Sequence, residues 1–489
     1  MCGLGGDSVW LLRDGANGRV RALLGTGQAA RAATIERYVA AGHKSIPFYG
    51  PWAAATVPGA VGAWDAAWHY ARESMGNTLP WAELFAAAHG FAAQGTTVST
   101  SLARTLRALA VGAQGNNSPC SSPEFRAIFC HDNGKPLALG ETFCQPQLAR
   151  SLEILAEDGA VSFYTGRLAQ IMLKGIAASG GLLAPEDFAT YQPRWAEPVH
   201  CRYRGRDAFA APPPSQGHAW LEIMQLCEHA PIGAMGEGSA DYWHYMAEAV
   251  RLAFADRNAH LTDPDSRQIP MDELLDPQRA AKRARQIRMD SVGTEEPAFK
   301  PGGDTVWVGC VDGRGNAVSM LQSLYHPFGS GQLAGESGIL LQNRACAFSL
   351  DPAHVNCLVP GKRSMHTLCP GMLCENGTLW AVLGSMGGDG QPQTLAALTT
   401  RLIDFGERPQ QAVSEPRWLF GRAWGADVNG LRLEGRVPQD VVAELAQRGH
   451  TVSQTEDYAE IMGHAGVIRV HSDGSLESAA DPRGDGCPA

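Results

Sequence analysis

Near residue 304 the hydrophobic pattern of this chain changes period, and that change limits the folds open to it. Ahead of it, from Ala63 to about Arg288, the sequence reads as mainly helical. Asp241–Arg257 puts Tyr245, Ala249, Leu252 and Ala253 on one face, the 3.6-residue period of an amphipathic helix. Gly180-Gly181 closes one helix and Pro185-Glu186-Asp187 opens the next. Beyond the change, Thr305–Val311 reads as a strand, Asp312-Gly313-Arg314-Gly315 as a hairpin turn and Asn316–Leu324 as the returning strand. Gly377–Leu383 is another strand, running through Gly384-Ser385-Met386-Gly387-Gly388 into a helix over Pro392–Phe405. A helical stretch followed by a strand-rich one predicts an α+β fold in which sheets are covered by helices. At the other end, Ser8-Val9-Trp10-Leu11-Leu12 reads as a buried strand behind the turn Gly3–Gly6. The chain thus opens on its core, and an upstream segment is expected to be missing.

Composition narrows the function. Lys and Arg number 40 against 50 Asp and Glu, a net charge of −10 spread thinly over 489 residues. Without a basic stripe, neither nucleic acid nor an anionic membrane surface is an expected partner. No uninterrupted apolar run is long enough to span a bilayer. The twelve cysteines are scattered, with no Cys-x-x-Cys and no Cys/His quartet at zinc spacing. They read as reduced, structural thiols in a cytoplasmic compartment, and neither metal nor cofactor is expected.

The junction Gly302-Gly303-Asp304-Thr305 carries the chemistry. The segment Ser291–Gly303 lacks periodicity and reads as a loop running straight into a strand whose first residue bears a hydroxyl. Cutting the Asp304–Thr305 bond would give Thr305 both a nucleophilic oxygen and a free α-amine. With an ordinary pKa of about 7.7–8.0 that amine is partly unprotonated near neutrality and serves as the local base. Taken alone, Thr305 is equally a β-branched strand starter. Two features add weight. Gly384-Ser385-Met386-Gly387-Gly388 stands at a strand end feeding a helix, where consecutive N–H groups can converge on an anion as an oxyanion hole requires, although an ordinary glycine turn has the same pattern. The returning strand carries Ser323 back across the sheet, where its hydroxyl could support the nucleophile.

Together these residues resemble the γ-glutamyltransferase family of N-terminal nucleophile hydrolases. The resemblance runs through Ala211-Pro212-Pro213-Pro214-Ser215, Asp304-Thr305, Gly315-Asn316-Ala317-Val318-Ser319, Phe328-Gly329-Ser330-Gly331, Gly338-Ile339-Leu340-Leu341, Pro360-Gly361-Lys362-Arg363, Gly387-Gly388 and Asp481-Pro482-Arg483. It implies a four-layer αββα sandwich with a large helical region in the N-terminal half. It also implies a proenzyme that cuts itself ahead of Thr305 by an N→O acyl shift. The products, residues 1–304 and 305–489, would form one composite domain as a heterodimer, and two heterodimers could pair into a heterotetramer. By the same resemblance Thr305 is the nucleophile, Ser323 stands where the family has a supporting threonine, and Gly387 and Gly388 donate to the oxyanion.

The specificity positions depart from the family. Thr26 stands where an arginine grips the glutamyl donor, Tyr325 replaces an asparagine, Ala347 replaces the acid that holds the ammonium, and His366-Thr367 replace two serines. Arg344 adds a positive charge instead, and a guanidinium favours a carboxylate. The pattern Gln322-Ser323-Leu324-Tyr325, Gln342-Asn343-Arg344 and His366-Thr367 resembles the branch of cephalosporin-acylase-like and oxamate-amidohydrolase-like members. The implied substrate is a small amide whose acyl group bears a carboxylate held by Arg344 and His366, within a pocket also drawing on Tyr325, Asn343 and Thr367. Genuine γ-glutamyl transfer or glutathione hydrolysis, and an unprocessed relative acting only as a binding protein, are the competing readings.

Overall fold

A computed structural model describes residues 2–111, 118–294, 303–421 and 430–488. Most of the expected loop Ser291–Gly303 therefore lies outside the described residues. The chain divides into two compact units: one comprises Met1–Ser8, Leu24–Arg194 and Gln322–Ser364, and the other Val9–Leu23, Trp195–Leu321 and Met365–Ala489. Each unit draws residues from both sides of position 304.

Eleven strands matter for the site: β1 (Asp7–Arg13), β2 (Val20–Gly25), β3 (Arg194–Ala196), β4 (Val199–Tyr203), β5 (Arg206–Ala210), β6 (Asp304–Val311), β7 (Ala317–Tyr325), β8 (Gly371–Glu375), β9 (Thr378–Ser385), β10 (Ala465–Val470) and β11 (Leu476–Ala480). They form a five-stranded sheet in the order β3-β2-β1-β7-β6 and a six-stranded sheet in the order β11-β10-β9-β8-β5-β4. The six-stranded sheet lies wholly in the second unit and is antiparallel throughout. Its register sets Gly371 opposite both Leu383 and Ala210, and Ser385 opposite Ala465. Strand β6 stacks on this sheet, and helices α1 (Gly217–Glu228), α2 (Ala240–His260) and α3 (Gln391–Ile403) share one apolar core with it, centred on Trp220, Trp243 and Leu383. The first unit has its own core, formed by Tyr38, Phe163, Met172 and Phe188 among others.

The strand–turn–strand at 304–325, the strand leading into Gly387-Gly388 and the helix beyond them match the sequence reading. So does the buried strand at the N-terminus. The stretch from Ala63 to Arg288 is mainly helical as expected and also carries β3, β4 and β5; β4 and β5 join the six-stranded sheet, where Ala208 and Ala210 alternate with more exposed residues. One expectation is corrected. Helix α2 is not amphipathic: from Tyr242 to Phe254 it is buried on every face. A helix surrounded by other helices and a sheet has no solvent face to leave polar.

Candidate active site

Thr305 and the pair Gly387-Gly388 lie in the second unit. Thr305 is buried near the start of β6. Just ahead of it Gly303 has φ +146°, and a Cβ built there would lie 2.4 Å from Gly388 Cα and 2.6 Å from Gly388 N. Only glycine lets the backbone before Thr305 come that close to the amide of Gly388. Gly387 and Gly388 themselves hold φ of +130° and +56°, so the turn from β9 into α3 takes a path that L side chains resist.

The glycine pair is held from behind. Gln216, fully buried, donates through Nε2 to the carbonyl oxygens of Thr367 at 2.8 Å and Gly388 at 2.9 Å. Its Oε1 accepts from Arg257 Nη1 at 2.9 Å, and the same nitrogen pairs with Asp389 Oδ1 at 2.9 Å. His366 and Thr367 are buried beside this brace: His366 N donates to Pro214 O and His366 O accepts from Gln216 N. One glutamine thus links the motif Ala211–Ser215, the pair His366-Thr367 and the glycine turn. Gln216 directly follows the motif Ala211–Ser215, which is a usable sequence signal, whereas Arg257 is one more polar residue in a long helix and gives none.

Thr305 opens into a cavity of about 630 Å³ lined also by Met386, His464, Ala465 and Gly466. Burial holds the His464 imidazole below the ordinary histidine range, against the pull of Asp481, Glu460 and Asp304.

The other predicted site residues lie in the first unit. Ser323 is fully buried, and its Oγ accepts from Tyr325 N at 2.8 Å. Tyr325 has φ +81°, a strained value for a side-chain-bearing residue and one that clusters at functional sites. The Arg344 guanidinium lies 3.9 Å from the centre of the Tyr325 ring, a buried cation–π pair. Burial holds Arg344 below the usual arginine value, while Tyr325, Asp7 and Cys346 pull it back up. Asp7 is itself satisfied by Gly59 N at 2.9 Å, Gln342 Nε2 at 3.0 Å and Gly27 N at 3.2 Å. Asn343 clamps the turn after β7: its Oδ1 accepts from His326 N at 3.2 Å, and its Nδ2 donates to Phe48 O at 2.8 Å and His326 Nδ1 at 2.9 Å. Among the described residues, no group of three or more His, Cys, Asp or Glu is placed to hold a metal ion, and no helix is long and apolar enough to cross a membrane.

Comparison with known proteins places the chain. The family model described as gamma-glutamyltranspeptidase matches residues 1–489. The chain is 40% identical over 487 residues to the glutathione hydrolase-like YwrD proenzyme of Bacillus subtilis, covering 99% of this chain and 90% of that one. It is also 40% identical over 489 residues to the oxamate amidohydrolase proenzyme of Klebsiella pneumoniae, covering 100% and 90%. The crystal structure of cephalosporin acylase from Bacillus halodurans superposes with a TM-score of 0.88 at 33% identity, over 99% of this chain and 86% of that one. The fold is therefore the α+β, αββα sandwich that the motifs implied. From its first described strand to its last, this chain belongs to the gamma-glutamyltranspeptidase family, and it is an enzyme of the N-terminal nucleophile hydrolase type.

Proposed function

We propose that the chain is a self-processing amide hydrolase whose Thr305, freed by scission of the Asp304–Thr305 bond, attacks the carbonyl of a small amide with a carboxylate-bearing acyl group. The α-amine of Thr305 takes the hydroxyl proton, and Oγ bonds to the carbonyl carbon. The amides of Gly387 and Gly388 stabilise the oxyanion, and the amine departs with the proton. Water then resolves the acyl-enzyme. The observation that carries this reading is the packing of Gly303 on Gly388, because it sets the scissile segment against the amide that the oxyanion needs.

Arg344, stacked on Tyr325, is the group for the acyl carboxylate, with Ser323 supporting the nucleophile and Asn343 holding the turn that carries Tyr325. His366 and Thr367 are the further residues proposed to bind substrate. The cleavage products stay together as a heterodimer, since β5 from one and β8 from the other pair from Gly371 opposite Ala210 to Cys374 opposite Asp207. Two such heterodimers could pair into a tetramer, and the scattered thiols favour a cytoplasmic setting.

Denaturing electrophoresis with N-terminal sequencing tests the reading. Two bands, the smaller beginning Thr-Val-Trp-Val, support it, and Thr305→Ala should abolish both splitting and turnover. A single persistent band would favour the inert relative. Assay of a γ-glutamyl anilide beside glutaryl and oxamoyl amides tests the pocket: faster turnover of the γ-glutamyl substrate would reject the role given to Arg344.

A further inference from the structure

The packing of β6 on β10 brings Thr305 and His464 to one cavity. The Trp307 indole fills a slot walled by glycine: a Cβ at Gly466 would lie 2.1 Å from its Cζ3, one at Gly384 2.0 Å from its Cδ1, and one at Gly309 2.4 Å from its Cη2. A Cβ at Gly309 would also lie 3.2 Å from Ile468 Cδ1, so Trp307 and Gly309 share the face of β6 turned toward β10. Because alternate residues share a face, Thr305 points the way Trp307 does, toward β10. Thr305 and His464 accordingly line one cavity. The imidazole Nε2 is buried and makes no hydrogen bond among the described residues, and Gly484 lies close over the ring, where a Cβ would meet Nδ1 at 2.6 Å. The main chain of His464 is fixed too, its oxygen accepting from the N–H of Met386 at 2.9 Å, next to Gly387.

Self-cleavage poses a problem that turnover does not. In the precursor the nitrogen of Thr305 is an amide, so the α-amine that later acts as base does not yet exist. We propose that His464 is the proton acceptor for the maturation step, an inference that rests on scission at Asp304–Thr305. Nε2 takes the proton of Thr305 Oγ as Oγ bonds to the carbonyl carbon of Asp304. The imidazolium returns that proton to the Thr305 nitrogen as the C–N bond breaks, leaving an ester between Asp304 and Thr305. Water hydrolyses the ester to the new carboxyl group and the free hydroxyl. The charged groups around the imidazole are Asp304, Glu460 and Asp481, which favour its protonation, and Arg417, which opposes it. Burial outweighs the carboxylates and keeps the ring neutral, and so able to accept, near pH 7.

The full chain made by cell-free synthesis gives the test, with appearance of the 305–489 fragment followed over time and pH. Wild type should split, more slowly as acid protonates His464. His464→Gln should split about 100-fold or more slowly, the usual contribution of a general base, and lose the acid limb of the profile. In His464→Gly, added imidazole should restore splitting, which a merely structural role would not allow. A His464→Gln chain that splits at the wild-type rate with the same pH profile overturns the assignment, as does a slow His464→Gly chain that ignores imidazole. A wild-type chain that never splits overturns the cleavage reading and this inference with it, whereas the other two failures leave the cleavage reading standing.

Discussion

Gly303 lies so close on Gly388 that no atom can be added between them, with 2.4 Å separating a Cβ at the first from the Cα of the second. The contact joins the residue two before Thr305, the proposed nucleophile, to the turn proposed to hold the oxyanion. Alanine at 303 would have to adopt φ near +146° and push against backbone, not against the end of a flexible side chain. Gly303→Ala is therefore expected to slow self-cleavage by about tenfold or more, since about 1.4 kcal/mol of misplacement suffices for that factor. The global fold should be little changed, because the strain falls on one turn. Time-resolved gels beside a thermal melt check both halves of the expectation.

The Asp481-Pro482-Arg483 motif has a structural task that bears on the site. Arg483 is fully buried and reaches Glu434 through Nε at 2.5 Å and Nη2 at 2.7 Å, and Asp481 through Nη1 at 2.9 Å. Asp481 also pairs with Arg417 and accepts from Ala465 N at 2.8 Å, while Arg417 Nη1 donates to Gly463 O at 2.9 Å. The residues on either side of His464 are thereby pinned. Burial alone would push the carboxyls of Glu434 and Asp481 up, but the guanidiniums hold both below the usual range. Arg483→Met would leave these carboxylates short of a partner and is expected to cost about 3–5 kcal/mol of stability, read from urea unfolding. Replacing one member of such a network is far more costly than replacing all of it with well-packed apolar residues.

What was legible in the sequence was what local chemistry dictates. The strand at Thr305, its hairpin and the glycine turn could be read because strand period, turn residues and glycine pairs are short-range signals. The burial of α2 on every face could not, since alternating polar residues such as Glu248 and Arg251 read as a solvent face until their partners are known; in the folded chain they pair with each other at 3.0 Å. The brace through Gln216 was equally hidden, as it joins residues 151 and 172 positions away by side-chain bonds that leave no periodic trace. The meeting of His464 and Thr305 in one cavity depends on how two strands distant in sequence stack, which only the fold decides.

A buried histidine pair makes stability depend on pH in a direction that can be worked out. The oxygen of Arg288 can only accept, so His244 Nε2 donates to it at 2.6 Å. Burial favours the neutral form of both rings, and in that form His244 Nδ1 accepts from His450 Nε2 at 2.8 Å, leaving His450 Nδ1 buried without a partner among the described residues. Burial, then His244, Arg251 and Arg448, push His450 down to about 3, and burial also lowers His244. An unfolded histidine titrates near 6.5, so between about pH 6.5 and 3 the unfolded chain binds more protons than the folded one. Stability from this pair is complete above that window and drains as pH falls through it, by at most about 1.4 kcal/mol per pH unit for each proton. The loss should loosen residues 288–293, because Arg288 O is held by His244, Val292 N by Arg448 O and Gly293 N by Glu248. His450→Gln, which keeps a donor but cannot gain a charge, is expected to flatten the acid side of a plot of unfolding free energy against pH. Urea titrations of Thr305→Ala protein between pH 4 and 7 give that plot without interference from cleavage, and an unchanged slope in the His450→Gln, Thr305→Ala double variant would show that other groups govern the acid loss.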